Sequence, residues 1–207
     1  MNAFYKLSRK IDFRKLKPKF ANRLFDSYIL PILTYASEIW SLYVPSSFEK
    51  CDKNDIEKAH LRFCRYYLGV NNKSSNIACR AEIGRFPLKI SIDKLAIKYF
   101  NHLICLPDDS FAKQSLFTSN ILSQKNKPSY FSSLRNMIHS YDHNFPTLST
   151  NRILNNSIID DLESKMKTQY FVLWKNFLSK SPKLSFYQTF KEYLLRRRTL
   201  PKHTIYF

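Results

Sequence analysis

Glycine is nearly absent from this chain: its 207 residues include only two, Gly69 and Gly84. Antiparallel sheets place glycine at many of their tight turns. The shortage therefore argues against an all-β protein and favours helices. Hydrophobic residues nevertheless make up 44% of the chain, which is enough to form a core and argues against wholesale disorder.

Closely spaced cysteines and long apolar runs are also missing. The four cysteines, at positions 51, 64, 79 and 105, include no CxxC pair, so no zinc knuckle is predicted. The N-terminal sequence MNAFYKLSRK lacks the apolar segment of a secretory signal. The longest apolar-rich run, 28–40, contains Pro31 and Glu38 and is too short to span a bilayer. We therefore expect a reduced intracellular protein, nuclear or cytoplasmic, that is neither secreted nor held in a membrane.

Catalytic signatures are absent as well. The chain contains no HExxH, GxSxG, P-loop or GxGxxG pattern. Asp108 and Asp109 resemble a metal-binding pair, but Pro107 precedes them and a helix is expected to follow, so a helix cap explains them better. His139 and His143 are four residues apart without a third ligand. We predict no catalytic residue, no metal and no cofactor, and expect no enzymatic activity from the chain on its own.

Negative charge is scarce relative to positive charge. Thirty-four Lys and Arg residues stand against sixteen Asp and Glu residues, which gives a formal net charge of +18. Such an excess repels itself unless a polyanion neutralises it. Nucleic acid is the default partner and an acidic membrane surface the second choice. The alternative is a basic protein whose lysines only keep it in solution.

Apolar residues recur at helical spacing along most of the chain. The first such stretch predicts one helix from Pro18 to about Tyr43, which Pro31 should kink because proline removes a backbone donor. We assign the aromatic residues of its apolar face, Trp40 and Tyr43 included, to the core rather than to base stacking. That face consists of Phe25, Tyr28, Ile29, Ile32, Ala36, Ile39, Trp40 and Tyr43.

Further helices are predicted over 55–68, 75–83, 91–105, 109–123, 129–141, 157–179 and 185–198. Asp55 is expected to cap the first of these at its N-terminus, and the two glycines to end the first and second. Asp108 or Asp109 is the expected cap of the helix over 109–123. The predicted fold is all-α, a bundle of about six to eight helices with no substantial sheet.

Basic residues cluster at two places that are candidate nucleic-acid-binding sites. Lys58, Arg62 and Arg65 follow one another at spacings of four and three, so they form a ridge on one helix face that can contact successive phosphates. The alternative is a solvated outer face. The N-terminal basic run offers the same two interpretations, or forms an arm that orders only on nucleic acid. The candidate residues are Lys58, Arg62, Arg65, Arg85, Arg14, Lys15, Lys17 and Lys19.

Three sequence blocks between Leu24 and Leu88 resemble a known family. They are LFDSYILPILTYASEIW, DIEKAHLRFCRYYLGV and AEIGRFPL. Their order and spacing are similar to the region that follows the polymerase core in reverse transcriptases of non-LTR, LINE-type retrotransposons. The resemblance covers residues 4–106 well and 181–195 more weakly. The family more often has glycine at the position of Ala36.

The resemblance implies a thumb-like helical domain over 1–106 with a basic N-terminal arm. The resemblance does not cover the middle of the chain, where the residue pattern predicts short helices and a linker over 107–156. A C-terminal helical segment, expected to be truncated, is predicted over 157–207. The implied function is that of a fragment of an RNA-directed DNA polymerase that grips template–primer through basic helix faces without catalytic residues of its own. Implied partners are RNA or an RNA–DNA hybrid, contacted nonspecifically through the backbone, and the polymerase core of the parent element. The alternative is a stand-alone helical protein-interaction module derived from a decayed element.

Overall fold

A computed structural model describes residues 2–43, 47–145, 148–150, 153–184 and 187. The described residues are mostly helical and include no β-strand, which confirms the all-α prediction. The chain divides into two compact units, 1–167 and 168–207, and the boundary lies inside a long helix. The predicted segments 1–106 and 107–156 both belong to the first unit. The predicted helix over 185–198 lies outside the described residues, apart from position 187.

Short helices come first along the chain and longer ones follow. A π-helical segment, Phe25–Ile29, joins the second and third helices, and 3₁₀ turns occupy Phe13–Lys15, Ser41–Tyr43 and Pro182–Leu184. None of the described helices is both long and apolar enough to cross a membrane. The helices are α1 (Asn2–Lys10), α2 (Pro18–Leu24), α3 (Leu30–Leu33), α4 (Ser37–Trp40), α5 (Phe48–Cys51), α6 (Asp55–Leu68), α7 (Asn76–Ile83), α8 (Leu88–Cys105), α9 (Phe111–Gln124), α10 (Tyr130–Tyr141) and α11 (Asn156–Lys180).

Helix α6 has its predicted bounds, and α7 begins one residue later than predicted. Gly69 and Gly84 end them in left-handed backbone, with φ values of 66° and 72°, a conformation that glycine adopts without steric cost. The predicted N-cap Asp55 is wrong, because Asn54 accepts the capping hydrogen bond at the start of α6. The Ser75 side chain caps α7 in the same way.

Helices α8 to α11 lie within three residues of their predicted bounds. Ser129 opens α10 with a capping box, in which its side chain and that of Ser132 bond to each other's backbone N–H groups. The predicted cap of α9 is wrong: Ser110 occupies that position, and Asp108 instead pairs with Lys113 at 2.7 Å. The ends of these helices thus follow the sequence pattern, while the capping residue can differ by one or two positions.

The single helix predicted from Pro18 to Tyr43 is wrong. Pro31 cannot donate a backbone hydrogen bond, and the helix already widens into a π-helical segment just before it. The helix then ends at Leu33, and Ala36 takes up a left-handed conformation with a φ of 54° before α4 begins. The expected distortion at Pro31 is therefore present, but the chain turns a few residues later as well.

The predicted buried face of this stretch is only partly buried. Phe25 and Ile29 are in the core, whereas Tyr28 and Ile32 are each 60% exposed and Ile39 is 46% exposed. A π-helical turn takes up more residues than an α-helical turn, so it rotates the residues that follow relative to a regular helical pattern. The outward side forms what we call the exposed apolar stripe, which consists of Phe20, Tyr28, Ile32 and Tyr35.

The N-terminal residues are part of the folded unit rather than a free arm. Phe4 of α1 is 7% exposed, and Phe13 of the following 3₁₀ turn is fully buried. Both rings pack against Phe63 of α6, at centroid distances of 6.1 and 5.8 Å, and Phe25 stacks on the same ring at 4.4 Å. These contacts fix α1 beside α6 and thereby place the N-terminal cations near those of α6.

Candidate nucleic-acid interface

Helix α6 separates an apolar face from a basic one. Leu61, Phe63 and Cys64 are buried, whereas Lys58 and Arg62 are exposed and Arg65 is half-buried. The basic residues lie at spacings of four and three, which places them on one side of the helix, as predicted. Because α1 and the 3₁₀ turn at Phe13–Lys15 pack on α6, this side is the floor of a concave surface rather than a fully open helix face.

That concave surface is a groove of about 920 Å³. Four of the eight predicted residues line it: Arg14, Lys58, Arg62 and Arg65. One acidic residue, Asp52, also lines the groove, together with Leu61, Gly69 and Val70. The remaining lining residues have aromatic and amide side chains. They are Phe4, Tyr5, Tyr66, Asn72 and Asn76.

The other predicted residues lie elsewhere. Lys15, Lys17 and Lys19 are exposed on neighbouring turns but are not part of the groove lining. Arg85 also lies outside the groove. A role for these four in binding nucleic acid stays a prediction.

The cations of the groove are held only loosely by acidic neighbours. Lys58 pairs with Asp55 at 2.8 Å and Arg14 with Asp12 at 3.2 Å, and both pairs are open to solvent. Hydrogen bonds from these cations lower the pKa of both carboxyl groups. Exposed ion pairs of this kind contribute little to stability, so a phosphate can displace the carboxylate at small cost. Arg62 has no ion-pair partner among the described residues.

Arg65 is positioned more firmly than the other three cations. Its guanidinium donates to the carbonyl oxygen of Ser74 at 3.1 Å and to the side-chain oxygen of Asn76. Asn76 in turn donates to Asp52 at 2.8 Å. The Nε atom of Arg65 is buried and has no hydrogen-bond partner within the described part of the chain. The Nε–H of Arg65 is therefore a buried donor that these two hydrogen bonds do not use.

Tyr5 and Tyr66 are site residues that the sequence analysis missed. Tyr5 is 53% exposed. The ring of Tyr66 packs edge-on against Phe4 at 5.5 Å and lies 5.7 Å from the Arg14 guanidinium. Tyr66 lies four residues after Arg62 and therefore shares its helix face, so a local signal for it was present. Tyr5 enters the groove only through the packing of α1 on α6, which no local signal reveals.

A buried ionic network adjoins the groove and shares Asp52 with its lining. Glu57 is 3% exposed and accepts hydrogen bonds from Arg80 at 2.9 Å and from the backbone N–H of Leu88 at 2.8 Å. Arg80, 2% exposed, also donates to Asp52 at 2.6 Å. Burial acts to raise the pKa of Glu57, but the interactions with His60 and Arg80 outweigh it and lower that pKa.

His60 is the neutral member of this network. Its Nε2 atom lies 2.7 Å from Nε of Arg85, which is always a donor, so Nε2 must be the accepting nitrogen. Nδ1 then carries the proton and donates it to Glu57 at 2.9 Å. Burial is the main cause that lowers the pKa of His60, which agrees with a neutral ring.

Arg85 connects the network to the surface. Its guanidinium pairs with Asp26 at 2.6 Å and lies 4.7 Å from the centre of the Phe25 ring. The side chain is only 9% exposed. Arg85, which follows the glycine that ends α7, thus ties that turn to the π-helical segment Phe25–Ile29.

The described residues include no cluster of three or more His, Cys, Asp or Glu side chains placed to hold a metal ion.

No protein-family model, curated protein or solved structure matches this chain. The resemblance to LINE-type reverse transcriptases therefore stays a prediction based on the three sequence blocks.

Proposed function

We propose that this chain holds RNA or an RNA–DNA hybrid through the sugar–phosphate backbone and performs no chemistry on it. The observation that carries the proposal is the convergence of Arg14, Lys58, Arg62 and Arg65 in one groove from two separate segments. Phosphate contacts of this kind position a nucleic acid without reading its sequence. The net charge of +18 supplies the long-range attraction.

The length of the basic face suits several phosphates. Lys58 and Arg65 are seven residues apart, which at 1.5 Å per residue is about 10 Å along the helix. Each strand of double-stranded DNA advances by about 3.4 Å of helix axis per nucleotide, so a duplex that lies along α6 would present about three nucleotides to these cations. Arg14 adds a fourth contact from the side.

The three family-like blocks support a more specific parentage. We propose that the chain derives from an RNA-directed DNA polymerase of a LINE-type element, in which it would hold the template–primer beside the polymerase core. The basic face of α6 lies in the second of the three blocks.

The coding sequence before Met1 tests this parentage. An in-frame strand, Asp-Asp, strand motif there would support it, and an unrelated upstream sequence would contradict it.

The salt dependence of RNA binding tests the groove itself. Four phosphate contacts predict that log K falls against log salt with a slope of about −3 for single strands and about −3.6 for duplexes. The double variant Lys58→Gln/Arg62→Gln should reduce the magnitude of that slope by about 1.4 to 1.8.

The matched control is Lys125→Gln/Lys127→Gln, which removes the same charge from exposed positions outside the groove. It should leave the slope nearly unchanged. Binding that is absent, insensitive to salt or equally weakened by both double variants would contradict the proposal.

The exposed apolar stripe favours a second candidate function, a helical module that docks a protein partner. Four large exposed side chains between positions 20 and 35, one of them 82% exposed, are a recognised mark of interaction surfaces. Light scattering with and without RNA separates the two functions. A stable complex with protein that ignores RNA, and that Tyr28→Ser/Ile32→Ser abolishes, would favour the second candidate.

A further inference from the structure

The wall of the groove that faces α6 contains an exposed aromatic ring. Tyr5 of α1 is 53% exposed, and its ring centre lies 5.8 Å from that of Phe4, which is 7% exposed. The buried ring of Phe4 also contacts Phe13, Phe63 and Tyr66. Tyr5 is therefore held against the buried Phe4 ring, while about half of the Tyr5 surface stays exposed. A backbone-only contact with a duplex needs no such ring.

Arg14 and Tyr66 form a second flat surface in the same groove. The Arg14 guanidinium lies 5.7 Å from the centre of the Tyr66 ring, and 58% of the Arg14 side chain is exposed. Guanidinium planes and aromatic rings are the two surfaces on which proteins stack nucleobases. Asn72, which is exposed in the same lining, offers a donor and an acceptor to a base edge.

These surfaces can be used only by an unpaired base. In a duplex each base is stacked between its neighbours, so its faces are covered and a groove-side ring meets only sugars and phosphates. A single strand turns its bases outward and can place one on a ring while its phosphates meet the cations. The combination of a cationic floor and an exposed ring is the pattern of single-strand binders.

We infer that the groove takes an unpaired polynucleotide strand, with one base stacked on Tyr5 while Arg14, Lys58 and Arg62 hold its phosphates. This inference rests on the proposed function and specifies its substrate as single-stranded nucleic acid, either free or at the open end of a duplex. Single-stranded RNA and single-stranded DNA share this chemistry, and the groove offers the same contacts to both.

Fluorescence anisotropy with labelled strands of about 12 nucleotides tests the inference, a length within the range that single-strand binders cover. The probes are single-stranded RNA, single-stranded DNA of the same sequence and the blunt RNA–DNA hybrid. Tyr5→Ala should weaken binding of the single strands about tenfold and change binding of the hybrid by less than about twofold. Tyr5→Phe should retain the single-strand affinity, and Tyr28→Ala, which removes an equally exposed tyrosine outside the groove, should change neither.

A second readout does not depend on affinity. A strand that carries 2-aminopurine should change its fluorescence on binding, and Tyr5→Leu should remove that change while it leaves the melting temperature unaltered. An equal effect of Tyr5→Ala on single strands and hybrid, or no effect on either, would overturn the inference and leave the proposed function standing. Failure of every probe to bind would overturn the proposed function. Loss of RNA binding alone, or of DNA binding alone, in Tyr5→Ala would show which strand the ring accepts and would support the inference.

Discussion

Replacement of Glu57 by alanine should destabilise the protein more than any change on the surface. The substitution removes a carboxylate that is 3% exposed and leaves Arg80, 2% exposed, without one of its counterions. It also removes the acceptor of the Leu88 N–H group. Loss of one partner of a buried ion pair typically costs about 3–5 kcal/mol. A change of that size is a large share of the total stability of a domain, which is about 5–15 kcal/mol.

Urea unfolding and thermal melting, both followed by far-UV circular dichroism, measure this cost. For a chain of this size the expected loss corresponds to a drop in Tm of roughly 6–20 °C. Glu57→Gln should cost less, because the amide oxygen still accepts a hydrogen bond. The control is Asp160→Ala: Asp160 is 71% exposed and pairs with Lys94 at 3.0 Å, so its removal should cost less than about 1 kcal/mol.

Two results would refute this reasoning. One is a loss below about 1 kcal/mol for Glu57→Ala, which is the size expected of an exposed ion pair. The other is an equal loss of stability for Glu57→Ala and Asp160→Ala. The double variant Glu57→Leu/Arg80→Met adds a further check, since removal of both charges should restore part of the stability that Glu57→Ala removes.

Three further predictions concern single groups. Because burial lowers the pKa of His60, the unfolded chain binds a proton more readily than the folded chain. The free energy of unfolding should therefore fall as the pH drops below about 6.5. Urea titrations at several pH values should show a smaller fall for His60→Gln than for the wild-type protein. Gly69→Ala should lower the free energy of unfolding in urea by about 1 kcal/mol, because φ is 66° at this position. No atom lies close enough to clash with the added methyl group, so the backbone conformation alone causes the loss. Gly69→Asn should cost less, since asparagine tolerates this conformation better. Alkylation of the native protein should modify Cys105 before Cys64. Cys105 is exposed, whereas Cys64 is fully buried and burial raises the pKa of the Cys64 thiol to about 12. Mass spectrometry of the peptides would reveal the order.

Helices α6 and α7 could be predicted from the sequence because their signals are local. A capping residue, a stripe of apolar positions and a terminal glycine all lie within one helix length. The basic face of α6 followed for the same reason, since side chains three and four residues apart share a face wherever a regular helix forms. These predictions needed no knowledge of what packs against the helix.

The stretch from Pro18 to Tyr43 could not be predicted in the same way. A periodic pattern assigns faces correctly only while the helix stays regular, and the π-helical segment and the turn at Ala36 both break that condition. Ala36 gives no warning, because alanine ordinarily favours a right-handed helix. A glycine at this position would have signalled the turn.

The composition of the groove depended on contacts between distant parts of the chain. Arg14 belonged to a basic run that was a candidate from the start, but the sequence did not show that it would meet Arg62. Tyr5 and Tyr66 are 61 positions apart and come together only because Phe4 packs on α6. The ion pair of Glu57 with Arg80 likewise joins two helices whose separate patterns say nothing about each other.

The position of Arg80 has a consequence for how this part of the molecule assembles. Arg80 lies in α7 and pairs with Asp52, which follows α5, and with Glu57 of α6. The backbone N–H of Leu88, the first residue of α8, donates to Glu57 and so joins the same cluster. If one of these four segments detached, a desolvated charge or donor would remain without its counterpart. Partial assembly is therefore costly at every stage. The four segments should form and open together, as one cooperative block of the chain.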